Sequence, residues 1–112
     1  MNGAIPDLTA RLRAFAAARD WEQWHTPKNL AMALIVEAAE LVEQYQWLTP
    51  EQAAEHTTTE EGRAAVADEL ADIAIYLIRL SDVVGIDLEE AILAKIERNE
   101  TRFPPVAKDE GA

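Results

Sequence analysis

The sequence predicts an all-α fold, an antiparallel four-helix arrangement, on three observations. Alanine, leucine and glutamate are abundant, and no segment alternates apolar and polar residues as a half-buried strand does. Apolar residues instead recur every three or four positions along four segments. Short connections join these segments, so consecutive helices should run side by side in opposite directions. Helices this long in a chain of 112 residues leave apolar faces uncovered, and we expect oligomerisation through those faces.

The first two helices are predicted from about Asp7 to Arg19 and from Pro27 to about Trp47. Thr26 supplies the side-chain oxygen of an N-cap, and Pro27 fits the first helical position because an N–H there would have no partner. The apolar stripes of the two helices are Leu8, Leu12, Phe15 and Ala16, and Leu30, Leu34, Ala38, Leu41 and Tyr45.

Similar signals divide the second half of the chain. Thr49-Pro50 predicts a short helical turn, and a third helix runs from about Glu60 to Val84, where Gly85 ends it. Asp87 caps a fourth helix, which extends from Leu88 to about Thr101. The apolar seam predicted for the third helix is Leu70, Ile73, Leu77, Leu80 and Val84.

Composition restricts the partners and the location. With 21 acidic and 10 basic residues, the formal net charge of −11 disfavours nucleic acid polymers and anionic membranes as partners. The absence of cysteine excludes disulfides and thiolate metal sites. We expect a cytoplasmic protein, because Met1 to Pro6 does not resemble a signal peptide and no apolar run approaches the roughly 20 residues that span a bilayer. Residues 1–105 should form a single domain, followed by a mobile tail at 106–112.

The residues that indicate chemistry are two acidic pairs, Glu37-x-x-Glu40 in the second helix and Glu69-x-x-Asp72 in the third. Residues three apart lie on the same side of a helix, so each pair projects twin carboxylates. Such pairs are also typical of the solvated surface of an acidic chain. Here, however, they border the apolar stripes, and no basic residue lies between Leu30 and His56. Partly buried carboxylates without cationic partners are costly, and a divalent cation would offset that cost.

The types of ligand select the metal. Four carboxylates suit Mg²⁺, with Mn²⁺ as the alternative, because both ions prefer oxygen ligands. The Glu-x-x-His pair of di-iron bundles is absent, and His25 and His56 lack the spacing of zinc ligands. Magnesium bound by carboxylates usually also binds substrate phosphates, which indicates hydrolysis of a phosphate ester or anhydride.

These acidic pairs and their surroundings resemble the all-α nucleoside triphosphate pyrophosphohydrolases of the MazG type, and most closely their dCTP pyrophosphatase branch. The likeness extends from about Phe15 to Pro104, and the strings together make a specific match although the acidic pairs alone are only moderately specific. The matching residues are Arg19-Asp20-Trp21, His25-Thr26-Pro27-Lys28-Asn29-Leu30, Glu37-Ala38-Ala39-Glu40-Leu41, Tyr45-Gln46-Trp47, Asp68-Glu69-Leu70-Ala71-Asp72, Tyr76-Leu77, Lys95, Asn99 and Arg102-Phe103-Pro104.

The resemblance implies Mg²⁺-dependent cleavage of a nucleoside triphosphate, dCTP or a related or modified deoxynucleotide, into the monophosphate and pyrophosphate, in the service of nucleotide-pool clean-up. It implies that the metal ligands are Glu37, Glu40, Glu69 and Asp72, and that Glu37 or Glu40 also orients the water. It implies a homodimer or homotetramer with sites formed between chains. The substrate-binding residues that it implies are Trp21, His25, Lys28, Asn29, Trp47, Tyr76, Lys95, Asn99 and Arg102.

Two other interpretations of the sequence stay open. The same chemistry on dUTP or on phosphoribosyl-ATP is the first, because aromatic residues that stack on a base do not rank the bases. The second is a non-catalytic helical oligomerisation module, in which the acids are surface charge and the stripes are seams for partners. The second interpretation leaves the acidic pairs without cationic neighbours unexplained.

Overall fold

The computed structural model describes residues 3–107, which contain five α-helices and no strand. The helices are α1 (Ala4–Ala18), α2 (Pro27–Glu43), α3 (Pro50–His56), α4 (Glu60–Val84) and α5 (Leu88–Arg102). The predicted all-α fold is therefore confirmed, and the turn predicted at Thr49-Pro50 is the short helix α3. None of the described helices combines the length and the apolar character that crossing a membrane requires. Val106 and Ala107 have no regular structure, and the rest of the predicted tail, 108–112, lies outside the described residues.

Local chemistry determines the starts of α2, α3 and α5 and the end of α4, as predicted. The predicted start of α1 at about Asp7 is wrong, because the helix begins at Ala4 and has no side-chain cap. Gly85 ends α4 in the left-handed conformation with φ of 75°, which glycine adopts without a steric penalty. Four N-cap side chains accept a hydrogen bond from a backbone N–H in the first turn: Thr26, Thr49, Thr59 and Asp87. Each cap satisfies a donor that has no partner within the helix.

The predicted end of α2 at Trp47 is wrong, because the helix ends at Glu43 and turns follow. The side chain of Gln44 makes tertiary contacts immediately after this end. Its amide donates to the backbone oxygen of Ala65 at 3.1 Å. Its Oε1 also lies 2.9 Å from Nε2 of His56. These contacts tie the chain after α2 to α3 and to the start of α4.

Helices α1 and α2 both pack against α4, and α2 makes the larger contact. The direction of α2 follows from its two ends: His25, before the helix, contacts Arg79 late in α4, whereas Gln44, after it, contacts Ala65 early in α4. The two helices are therefore antiparallel, as predicted.

The last helix, α5, makes little contact with the others. The chain measures 62 × 36 × 29 Å and has a radius of gyration of 18.3 Å, whereas a compact domain of this length has about 13 Å. Ile92, Leu93 and Ile96 of α5 are 45, 56 and 46% exposed. The four-helix arrangement thus consists of a packed group, α1, α2 and α4, from which α5 extends.

The predicted α2 stripe is confirmed, since Leu30 is buried and its other members are half-buried. The predicted α4 seam is only partly correct. Three of its five residues are exposed: Leu70, Leu77 and Val84. The face of α4 that is turned inward instead carries a row of polar residues at helical spacing: Glu69, Asp72, Tyr76 and Arg79. The acidic pair of α4 therefore lies on its inward face.

Much apolar surface is left uncovered within the single chain. Among residues 3–107 the buried apolar side chains are Ala16, Leu30 and Ile78. The predicted α1 stripe is only partly covered, since Leu8 and Phe15 are each 44% exposed. Further exposed residues on α2 are Met32, Ile35, Val36 and Val42. These are the faces through which the sequence predicts oligomerisation.

Candidate active site

The antiparallel packing of α2 and α4 brings carboxylates from both helices together. Glu37, Glu40 and Glu69 each place a carboxylate oxygen within 4.8 Å of the other two. Asp72 lies one helical turn beyond Glu69 and is outside this three-carboxylate cluster. The structure thus joins three of the four predicted metal ligands directly and places the fourth beside them.

The acidic cluster is partly withdrawn from water. Glu37 and Glu69 are half-buried, and Glu40 is exposed. The Oε2 atoms of Glu37 and Glu69 are inaccessible to solvent and have no hydrogen-bond partner within residues 3–107. The salt bridges found in that range both involve Asp82, so no lysine or arginine neutralises the cluster. Buried acceptors without partners are costly, which makes the cluster a candidate site for a cation.

Burial and neighbouring carboxylates raise the pKa of two members of the cluster, although the contact with Glu37 by itself lowers the pKa of Glu69. The pKa of Glu37 is raised from its ordinary value of 4.5 to about 7, first because its protonated carboxyl could donate a hydrogen bond to Glu69, and then by burial and by Glu40. Burial also raises the pKa of Glu69, with Glu40 and Asp72 adding to the effect. In the absence of a cation, the cluster therefore retains a proton near neutral pH.

The donor set fits a hard divalent cation. All three clustered residues offer carboxylate oxygens, and neither a cysteine nor a histidine belongs to the group. Oxygen-only ligands suit Mg²⁺ or Mn²⁺ rather than zinc. The two buried Oε2 atoms that lack partners would gain one in such an ion.

A cavity of about 220 Å³ lies beside the cluster, between α1, the loop that precedes α2, and α4. Asp72 lines it and so connects it to the acidic pair of α4. The ring of Trp21 meets Phe15 edge-on at 5.5 Å and lies 6.1 Å from the ring of His25. The aromatic and polar residues that line the cavity are Phe15, Trp21, His25, Asp72, Tyr76 and Arg79. The predicted site residues Trp21, His25 and Tyr76 are thus brought together beside Asp72.

Other predicted substrate-binding residues lie apart from this cavity. Helix α2 has 17 residues, and at 1.5 Å per residue its two ends are about 26 Å apart. Trp21 precedes α2 and Trp47 follows it, where Trp47 is 86% exposed. Within one chain these two rings cannot stack on the same base.

The predicted phosphate contacts are also distributed. Lys28 and Asn29 lie in the first turn of α2, and Asn29 donates to the backbone oxygen of Trp24 at 3.0 Å. The other three predicted phosphate contacts lie on the projecting helix α5: Lys95, Asn99 and Arg102. Their spacing of four and three places them on one helical face. The described chain does not bring that face to the acidic cluster.

Arg79, which was not among the predicted site residues, is a charged residue that is only 7% exposed. Its Nε donates to Nδ1 of His25 at 3.0 Å, and its Nη1 donates to Asp82 at 3.0 Å. Arg13 of α1 pairs with the same Asp82 carboxylate. The available signal was an arginine between Ile78 and Leu80 in an apolar stretch, with an acid three residues later.

The fold and the site define an all-helical protein with a carboxylate cluster held between two antiparallel helices and an aromatic cavity beside it. The chain belongs to the MazG-like family, whose sequence model matches residues 32–111. The resemblance seen in the sequence is therefore confirmed.

The names of individual proteins that are similar to this chain are consistent with this family. dCTP pyrophosphatase 1 of Bos taurus is 45% identical over 100 residues, and that of Homo sapiens is 44% identical over 100 residues. Each alignment covers 89% of this chain and 59% of the relative, so the chain spans about three fifths of the length of these curated relatives. The crystal structure of a pyrophosphatase from Archaeoglobus fulgidus has a TM-score of 0.84 and 38% identity, covering 94% of this chain and 96% of that one.

Proposed function

We propose that this protein hydrolyses a nucleoside triphosphate, dCTP or a closely related deoxynucleotide, to the monophosphate and pyrophosphate with the help of Mg²⁺. The proposal rests on one observation above all: three carboxylates of α2 and α4 converge within 4.8 Å, and no lysine or arginine among residues 3–107 pairs with them. The names of the relatives, dCTP pyrophosphatase and pyrophosphatase, support the same reaction. Removal of surplus or modified nucleotides from the pool is the role that we assign to it.

The cluster and the cavity would have different roles: the cluster would bind the metal ion, and the cavity would bind the base. Glu37, Glu40, Glu69 and Asp72 would hold Mg²⁺, which when bound neutralises polyphosphate charge and makes a water molecule more acidic. A carboxylate of α2, from Glu37 or Glu40, accepts the proton of the attacking water. The rings of the cavity enclose the base and exclude water from it. Asp72 lies beside the cluster and also lines the cavity. A bound nucleotide would therefore extend only a short distance along α4, from its base in the cavity to its phosphates at the cluster.

The site that we propose is completed by a second copy of the chain. Trp47 and the polar face of α5 lie too far from the cavity to act there within one chain. Exposed apolar residues on α2 and α5 offer surfaces through which a dimer or tetramer would form. In such an assembly Lys95, Asn99 and Arg102 of one chain would face the phosphates bound by another, since two cations and an amide suit a triphosphate.

Initial rates across a panel of triphosphates test the proposed reaction. With Mg²⁺ we expect equal amounts of monophosphate and pyrophosphate, the highest kcat/KM for dCTP, and complete loss of turnover in excess chelator. A higher kcat/KM for dUTP or phosphoribosyl-ATP would keep the chemistry and replace the substrate. If no triphosphate releases pyrophosphate, and Mg²⁺ does not shift the melting temperature, the protein is a non-catalytic module.

A further inference from the structure

The buried guanidinium of Arg79 has a defined set of partners. Arg79 is the one charged residue that is buried within residues 3–107. Its Nη1 donates to the Asp82 carboxylate at 3.0 Å, and that carboxylate also accepts from Arg13. The hydrogen bond from Arg13 is the main reason why the pKa of Asp82 is lowered, so Asp82 remains an anion. Arg79 is therefore held in place on the side away from His25.

The remaining contact of Arg79 determines which ring nitrogen of His25 carries the hydrogen. The Nε–H of Arg79 donates to Nδ1 of the imidazole at 3.0 Å. A guanidinium has only donors, so Nδ1 of His25 must be the acceptor, and the ring hydrogen lies on Nε2. Burial, and then the charge of Arg79, lower the pKa of His25, so the neutral ring is favoured. Within the described residues, Nε2 has no hydrogen-bond partner.

His25 lies at the wall of the aromatic cavity, which Asp72, Tyr76 and Arg79 also line. The other lining side chains are apolar, those of Leu12, Phe15, Trp21 and Ile75. Beside these apolar side chains, a fixed N–H donor on His25 selects a ligand that offers an acceptor at that point, because an unpaired donor is costly to bury. A carbonyl oxygen or a ring nitrogen of a nucleobase is such an acceptor.

We propose that Arg79 is a positioning residue that locks His25 as the Nε2–H tautomer, and that His25 thereby donates to an acceptor atom on the base. This inference rests on the proposed function for the identity of the ligand, but the tautomer itself does not depend on catalysis. Arg79 acts through His25, and Asp82 with Arg13 keeps Arg79 aligned.

The tautomer is tested on the unliganded protein by long-range ¹H–¹⁵N NMR of the histidine rings. At pH 7.5 we expect His25 in the Nε2–H form. In Arg79→Met, which leaves Asp82 paired with Arg13, we expect a mixture of tautomers. Arg63→Met removes an exposed arginine of the same helix and should leave the His25 signals unchanged. A wild-type His25 in the Nδ1–H form would overturn the proposal, whether or not the protein is an enzyme and whether or not Arg79→Met folds.

Base recognition is tested with dCTP and two analogues that each lack one acceptor, 2-thio-dCTP and 3-deaza-dCTP. For the wild type we expect at least one analogue to have a KM about tenfold above that of dCTP, which corresponds to one lost hydrogen bond. This difference in KM between dCTP and the analogue should vanish in His25→Phe and become smaller in Arg79→Met. In both variants kcat should change less than KM. The double variant His25→Phe/Arg79→Met should distinguish dCTP from the analogues to the same extent as His25→Phe alone. Equal discrimination in His25→Phe and wild type, or no discrimination by wild type, would contradict the proposal.

Failure of the proposed function has a different outcome. If dCTP is not hydrolysed, dCMP is the probe, and its binding is followed by the shift of the His25 Nε2 resonance. A shift that is present in the wild type and absent in Arg79→Met supports the positioning role without any turnover. No shift on addition of dCMP, with the Nε2–H tautomer in place, rejects His25 as the base contact.

Discussion

Glu40→Gln will reduce pyrophosphate release from dCTP at least about a hundredfold, the loss typical of removing a group that acts in the transition state. Glu40 offers a carboxylate oxygen to the three-residue cluster, and glutamine cannot supply the same charge. Because Glu40 is exposed, the substitution should leave the fold intact. Initial rates at saturating Mg²⁺, together with the helical circular dichroism signal, measure both effects.

Asp72→Asn should have an effect of similar size, because Asp72 borders both the cluster and the cavity. The matched control is Glu61→Gln, which removes one exposed charge from the first turn of α4. The control should retain wild-type rates. Wild-type activity in Glu40→Gln or in Asp72→Asn would reject the assignment of that acid.

Mixing two inactive variants will restore activity if the sites lie between chains. We expect Glu40→Gln and the double variant Lys95→Ala/Arg102→Ala to be nearly inactive separately, because one loses a cluster carboxylate and the other two cations of α5. In a mixed dimer one site contains both substitutions and the other contains neither. Random pairing of equal amounts then gives about a quarter of wild-type activity.

Co-expression with two different affinity tags, followed by tandem purification, isolates the mixed dimers. In these the pyrophosphate assay should measure about half of wild-type activity, because one of the two sites is intact. The control mixes Glu40→Gln with Asp72→Asn, and this mixture should not regain activity. One chain supplies both acids to a site, Glu40 in the cluster and Asp72 beside it, so each site of a mixed dimer still lacks one of them. No recovery from the first mixture, despite proven mixed dimers, would place the whole site within one chain.

The sequence was sufficient to predict elements whose determinants are local. Thr26, Asp87 and Gly85 define helix boundaries by hydrogen bonds and backbone geometry within a few residues, and each is found in its predicted role. The end of α2 was misplaced because Gln44 contacts α3 and α4, which periodicity along α2 does not reveal. Tertiary contacts therefore decided the boundary that sequence reasoning got wrong.

The acidic pairs were visible in the sequence because spacing alone places Glu37 beside Glu40 on one helical face. Their convergence with Glu69 required the register of α2 on α4, which the antiparallel pairing supplies. The buried Arg79 was missed because arginine is rarely buried, and its partner His25 lies 54 residues away in sequence. Long-range pairs of this kind cannot be read from a single sequence.

The most direct test of the acidic cluster is calorimetric titration with Mn²⁺ near pH 7 in two buffers of different ionisation enthalpy. Since the pKa of Glu37 is raised to about 7, the metal-free cluster holds a proton that the cation must displace. We therefore expect saturable binding with net proton release, weaker affinity as the pH falls below 7, and loss of binding in Glu69→Gln but not in Glu61→Gln. Absence of binding at pH 7, or binding that releases no proton and survives Glu69→Gln, would show that these carboxylates do not hold the metal.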